Sequence, residues 1–293
     1  MRIRELLATG RPSFSFEFFP PKTEEGGTHL LRTIESLSDL KPSYISVTYG
    51  AGGSTRDLTV DLVRQIKTEF GIETMAHLTC VGATRDQIRA IVDRLATDGI
   101  ENILALRGDP PRGETEFRAT EGGFRYASEL TCFLKENWNF CVGGACYPER
   151  HPEAVSLEAD VSNLKKKVDA GAEFLVTQLF FDNQKYYDFV RKVREAGIGV
   201  PVVPGLMPIT NVDQVERFTK ICGASIPEPL MSELNRLRNN PEAVLSLGVA
   251  HATAQSLDLL AKGAHGIHFY TLNKSAATRT ILTAIRTVYP AAR

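Results

Sequence analysis

Residues 14–19 read Phe-Ser-Phe-Glu-Phe-Phe (FSFEFF), with Ser13 before them, and this stretch decides how the chain folds. Phe14, Phe16 and Phe18 alternate with Ser13, Ser15 and Glu17, the period of two of a β-strand. The phenylalanines should pack beneath covering helices, which leaves Glu17 on the opposite face. Seven more short apolar runs follow: residues 44–49 (YISVTY), 75–80 (MAHLTC), 102–107 (NILALR), 140–147 (FCVGGACY), 174–180 (FLVTQLF), 202–207 (VVPGLM) and 266–272 (GIHFYTL). Helical patterns alternate with them near 27–39, 56–70, 84–98, 124–137, 156–170, 184–196, 211–221 and 275–287. A capping box at Thr84 and Gln87 opens the third of these helices.

Eight strand–helix units favour parallel strands with helices outside. The expected fold is α/β, a (β/α)8 TIM barrel formed by residues 1–293 as one domain. Residues 224–262 carry no strand signal and read as an extra helical insertion before the eighth strand. An open dinucleotide-binding sheet should show GxGxxG after its first strand. The nearest glycine cluster, Gly50-Ala51-Gly52-Gly53, has the wrong spacing.

Composition narrows the function. Among 293 residues, 34 Lys+Arg balance 35 Asp+Glu for a net charge of −1, without the basic excess of a nucleic-acid-coating protein. Hydrophobic residues at 43% and charged residues at 24% exclude a disordered chain. The charge-free stretch 198–210 is broken by Pro201, Pro204 and Pro208 and falls short of the ~20 residues of a spanning helix, so no membrane association is expected. The N-terminus has no apolar leader. Five cysteines, an odd number without a CxxC pair, fit a reducing cytoplasm and no structural metal. His265 and His268 have a loose metal-type spacing, but alternation would place them on opposite faces of a strand.

Barrel chemistry sits at the C-terminal ends of the strands. Here those ends carry Glu17, Thr48, Tyr49, His77, Arg107, Asp109, Tyr147, His151, Gln178 and Tyr270. Any one has a plainer reading: His77 as a core histidine, Arg107 with Asp109 as an ion pair, Glu17 paired with Arg107, Gln214 as a helix cap. Their convergence on one mouth argues for a site. A carboxyl such as Glu17, partly desolvated there, is expected to have a raised pKa suited to general acid work. The run Lys165-Lys166-Lys167 is either a solvated face or, at a mouth, a phosphate site.

Residues 15–22 (SFEFFPPK), 47–56 (VTYGAGGSTR), 76–80 (AHLTC), 105–111 (ALRGDPP), 144–154 (GACYPERHPEA), 160–171 (DVSNLKKKVDAG), 177–182 (TQLFFD), 204–211 (PGLMPITN) and 268–274 (HFYTLNK) occur in this order. With them the sequence resembles the 5,10-methylenetetrahydrofolate reductases of the bacterial type over essentially its whole length. The resemblance implies an FAD-dependent oxidoreductase of one-carbon metabolism that supplies methyl groups for methionine synthesis. It implies a (β/α)8 barrel holding FAD, with NADH or NADPH as hydride donor and no metal. FAD contacts carry over to Tyr49, Ala51, His77, Arg107, Gly108, Asp109, Tyr126, Ala127, Tyr147, His151, Ala154, Asp160, Asn163, Lys166 and Lys167. Lys166 stands where some relatives have arginine and keeps the charge without the planar fork.

The implied reaction is a ping-pong relay: a reduced nicotinamide delivers hydride to FAD, then methylenetetrahydrofolate takes it and becomes 5-methyltetrahydrofolate. Glu17 matches the acid that opens the folate ring, and Asp109 a carboxylate that stabilises the resulting iminium and tunes the flavin. Thr48, Asp109, Gln178, Gln214, Phe218 and Lys274 match substrate contacts; Lys274 replaces an arginine. The small-molecule substrates, no nucleic acid and a homo-oligomer complete the expectation. Alternatives are the same folate chemistry with electrons from a partner protein, and a non-catalytic folate- or flavin-binding subunit. One barrel with its insertion should occupy all 293 residues. It should therefore lack the C-terminal S-adenosylmethionine domain of eukaryotic relatives and its feedback.

Overall fold

The computed structural model describes residues 1–21, 23–49, 56–110 and 117–290. Within them the chain forms a barrel of parallel strands. These are β1 (Ser13–Phe18), β2 (Tyr44–Val47), β3 (Thr74–Thr79), β4 (Asn102–Leu106), β5 (Cys141–Cys146), β6 (Phe174–Thr177), β7 (Val202–Val203), β8 (Gly205–Leu206) and β9 (Gly266–Tyr270). The pairing order runs β7-β6-β5-β4-β3-β2-β1-β9-β8, parallel throughout. β7 and β8 are one strand position interrupted at Pro204, which has no amide proton to give. Its carbonyl still accepts from His268 N at 2.9 Å, so eight positions close into a (β/α)8 barrel.

The helices outside are α2 (Glu24–Ser38), α3 (Arg56–Phe70), α4 (Arg85–Thr97), α5 (Ala127–Asn137), α6 (Leu157–Asp169), α7 (Asn183–Glu195), α8 (Val212–Cys222) and α11 (Ala276–Arg286). The Thr84–Gln87 capping box forms as expected, at 2.9 and 3.3 Å. A short helix that the sequence pattern did not reveal, α1 (Ile3–Leu7), closes the N-terminal end of the barrel. Its Ile3 and Leu7 pack on Tyr44, Met75, Leu104, Cys141, Phe174 and Val203 inside. The insertion is two helices, α9 (Glu228–Leu237) and α10 (Pro241–Ala261). By length and composition α10 is long and apolar enough to cross a membrane, contrary to the expectation that no segment was. It packs against α7, α9 and α11.

The alternation of the first strand plays out as read. Phe14, Phe16 and Phe18 are fully buried in the layer between strands and helices, each contributing roughly 1.5–3 kcal/mol. Ser15 and Glu17 face the interior, in register with Tyr44 and Ser46 on β2 and with His268 and Tyr270 on β9.

Candidate active site

Glu17 sits buried on the floor of the mouth. Its Oε2 lies 3.5 Å from His77 Nε2 on β3 and 3.4 Å from His268 Nε2 on β9. Among the described residues no Lys or Arg pairs with it, so the alternative of a Glu17–Arg107 ion pair is not what forms. Burial pushes His77 down to about 4, against the opposing pull of Glu17, so its ring is neutral near pH 7. His268 Nδ1 lies 2.7 Å from Ser15 Oγ, and its ring stacks on Tyr44 with centroids 6.2 Å apart. A hydroxyl both donates and accepts, so Ser15 suits either tautomer of His268. The imidazole can then face Glu17 with a proton or with a lone pair, matching the carboxylate or the acid. Thr271 Oγ1 donates to the Glu17 carbonyl at 2.6 Å and fixes the backbone beneath.

Arg107 follows β4. Its guanidinium donates bidentately to Glu153 at 2.6 and 2.6 Å and stacks over Phe117 at 4.8 Å, so Asp109 is not its partner. Gly108 has φ +89°, and a Cβ there would lie 2.7 Å from Val81 Cγ1, which explains glycine at this turn. Asp109 is solvent-exposed beside it.

The loop after β5 and helix α6 form the adjoining wall. His151 packs edge-on against Tyr147 at 4.7 Å, its backbone N–H donates to Asp160 at 2.8 Å, and its Nδ1 accepts from Glu153 N at 3.1 Å. Burial and the Arg107 charge hold His151 below its ordinary range. Ala154 accepts from Arg150 at 2.5 Å. Lys167 Nζ donates to the Ala145 carbonyl at 2.9 Å, and burial lowers its pKa. Lys166 is exposed and donates to Asn163 at 3.0 Å. Tyr126, exposed, and Ala127, buried, stand at the start of α5. Ala51 lies outside the described residues.

On the other side, Thr48 and Tyr49 follow β2, both buried. Gln178 follows β6; its N donates to Cys146 O at 2.7 Å, and its side-chain oxygen accepts from Leu179 N at 2.9 Å. Tyr270 reaches across to the Thr177 carbonyl at 2.5 Å. Gly205 permits this, since a Cβ there would meet the Tyr270 hydroxyl at 2.7 Å. Gln214 does not cap α8: Asn211 does, accepting from Gln214 N at 2.8 Å. Gln214 is thereby free to share a helix face with Phe218, one turn on. Lys274 is exposed in the loop after β9.

Sequence reasoning missed His268, Ser15 and Glu153 as parts of this site. His268 was legible: it lies two residues before Tyr270 and must share its face.

The family model for methylenetetrahydrofolate reductase matches residues 2–286. The chain belongs to the methylenetetrahydrofolate reductase family. The 5,10-methylenetetrahydrofolate reductase of Escherichia coli (strain K12) is 40% identical over 272 residues, covering 93% of this chain and 90% of that protein. Methylenetetrahydrofolate reductase (NADH) 1 of Arabidopsis thaliana is 39% identical over 292 residues, covering 96% of this chain and 49% of that protein. The chain thus spans about half the length of this plant member of the family and most of the bacterial one. Among solved structures, a Clostridium thermocellum protein that binds two copies of 5-methyl-5,6,7,8-tetrahydrofolic acid superposes with a TM-score of 0.64 at 18% identity, covering 98% of both chains. At that identity the likeness shows the fold alone.

Proposed function

We propose that this chain reduces 5,10-methylenetetrahydrofolate to 5-methyltetrahydrofolate with hydride from NADH or NADPH by way of FAD, in ping-pong fashion. The observation that carries this reading is Glu17: a carboxyl buried at the mouth, in hydrogen-bond contact with His268, with His77 3.5 Å away and, among the described residues, no Lys or Arg paired with it. Family membership supplies the substrate class.

The residues at the mouth fit FAD. His77 Nε2 and Thr79 Oγ1 are buried on the inner face of β3 without a hydrogen-bond partner among the described residues, as a ligand with polar edges would require. Arg107 and Lys166 bring positive charge for a diphosphate, and Tyr126 and Tyr147 bring aromatic surface. When bound, FAD would supply hydride storage between the two substrates. Glu17 gives its proton to the folate nitrogen that departs as the five-membered ring opens. Asp109, exposed beside the mouth, stabilises the iminium cation so formed and disfavours added negative charge nearby. Thr48 and Gln178 orient the nicotinamide; Gln178, Gln214, Phe218 and Lys274 then orient the folate. The 5-methyl product serves methionine synthesis, and the sequence-based expectations of a single-domain cytoplasmic homo-oligomer belong to the same reading.

Colour tests it. Purified protein should be yellow, and NADH without oxygen should bleach it. Yellow protein that neither nicotinamide bleaches would favour electrons from a partner protein; protein that cannot take up FAD would favour a binding subunit.

A further inference from the structure

The insertion before the last strand looks like decoration in the sequence, but its longer helix carries polar side chains where an apolar helix has no use for them. The strand β6 ends at Thr177, so the carbonyls of Phe180 and Phe181, just beyond Gln178, have no sheet partner and must be satisfied otherwise. Both bonds come from α10. Gln255 Nε2 meets the Phe180 carbonyl at 3.1 Å, and His251 Nε2 meets the Phe181 carbonyl at 3.1 Å. A carbonyl only accepts, so His251 carries its proton on Nε2. The two residues are four apart and share one face of the helix.

Gln255 is buried, and its own backbone carbonyl accepts from Asn183 Nδ2 at 3.0 Å. Asn183 and Tyr187 of α7 also reach Asp258 of α10, at 2.7 and 2.6 Å. One turn before this clamp, Gly248 lies against the segment leading into α8: a Cβ there would be 1.9 Å from the Ile209 carbonyl. The same helix therefore seats two of the chain segments that carry the proposed folate contacts, Gln178 on one and Gln214 with Phe218 on the other. Leu179, Phe181, Ile209, Val215 and Val244 fill the space between.

We propose that Gln255 and His251 are positioning residues, which fix the Gln178 segment through the Phe180 and Phe181 carbonyls so that the Gln178 amide meets its ligand in one orientation. This rests on the reading of Gln178 as a substrate contact. The test is a double-mutant cycle on the FAD-loaded enzyme, with KM and kcat measured for methylenetetrahydrofolate and for NADH. Gln255→Leu keeps the bulk and removes the donor. It should raise KM for methylenetetrahydrofolate roughly 3- to 10-fold, with a smaller change in kcat, because Gln178 would hold the ligand in ground and transition states alike. Gln178→Ala should raise KM in the parent enzyme but have much less effect in the Gln255→Leu background, because the two act through one contact. His251→Phe, which removes the second donor, repeats the cycle should Gln255→Leu not fold. An unchanged KM in Gln255→Leu, or fold-changes that simply multiply in the double variant, would overturn the proposal, since a merely structural role gives additive effects. A Gln178→Ala enzyme with unaltered KM for both substrates would instead remove Gln178 as a ligand, and the clamp's purpose with it.

Discussion

Replacing Glu17 by Gln isolates proton donation from everything else the side chain does. Gln keeps the shape, and its amide can still contact His77 and His268, which lie 3.5 and 3.4 Å from Oε2. The floor of the mouth should therefore stay packed, and flavin binding should survive. What vanishes is the transferable proton. General acid catalysis of this kind contributes about 10²–10⁴-fold, or roughly 3–5 kcal/mol of barrier at 1.36 kcal/mol per tenfold. Anaerobic stopped-flow absorbance of the flavin separates the half-reactions. Bleaching by NADH should stay within a few-fold of the parent rate, and reoxidation by methylenetetrahydrofolate should slow by about two to four orders of magnitude. Equal losses in both half-reactions would mean that Glu17 only shapes the site, and the assignment of the acid would fail.

Three further outcomes follow. Asp109→Asn should raise the flavin reduction potential and weaken folate reduction, and an unchanged potential in a dye-linked titration would end the tuning role. His77 titrates near 4 when folded against 6.5 when unfolded, so between those values the unfolded chain binds the extra proton and stability falls as pH falls. Urea melts of the parent should show a contribution of roughly 3 kcal/mol, present above pH 6.5 and lost by about pH 4, that His77→Gln lacks; parallel pH profiles would refute it. Gly143→Ala would set a Cβ 2.5 Å from the Phe174 ring inside the barrel, costing about 1–3 kcal/mol and several degrees of Tm, and a Tm equal to the parent's would show that the interior yields more than its packing suggests.

The barrel was legible because its signal is local. Alternation in residues 13–18 places three phenylalanines outward and Glu17 inward with no tertiary information, and the structure keeps that placement. Helix limits were readable where caps are local, as at Thr84. The interruption at Pro204 was not, since whether a strand survives a proline depends on a neighbour donating to the proline carbonyl, as His268 N does here. The five-residue α1 was hidden because so short a helix forms only by plugging the barrel end. In the site, single residues were readable and their partnerships were not. Arg107 was a plausible partner for Glu17 or Asp109 by charge alone, yet it binds Glu153 from the loop after the next strand. His268 was overlooked because its spacing from His265 drew attention to metals, when its register with Ser15 was the informative relation. The insertion gave no sign of its role, because the Phe180 and Phe181 carbonyls that it satisfies belong to backbone far away in sequence.

In the proposed reaction hydride passes from the flavin at this mouth to the folate. The most direct measurement is a single turnover without nicotinamide: photoreduce the FAD-loaded enzyme anaerobically, add methylenetetrahydrofolate, and quantify both flavin absorbance and 5-methyltetrahydrofolate. The yellow colour should return with one 5-methyltetrahydrofolate formed per flavin reoxidised. Flavin that stays reduced, or that reoxidises without 5-methyltetrahydrofolate, would contradict it.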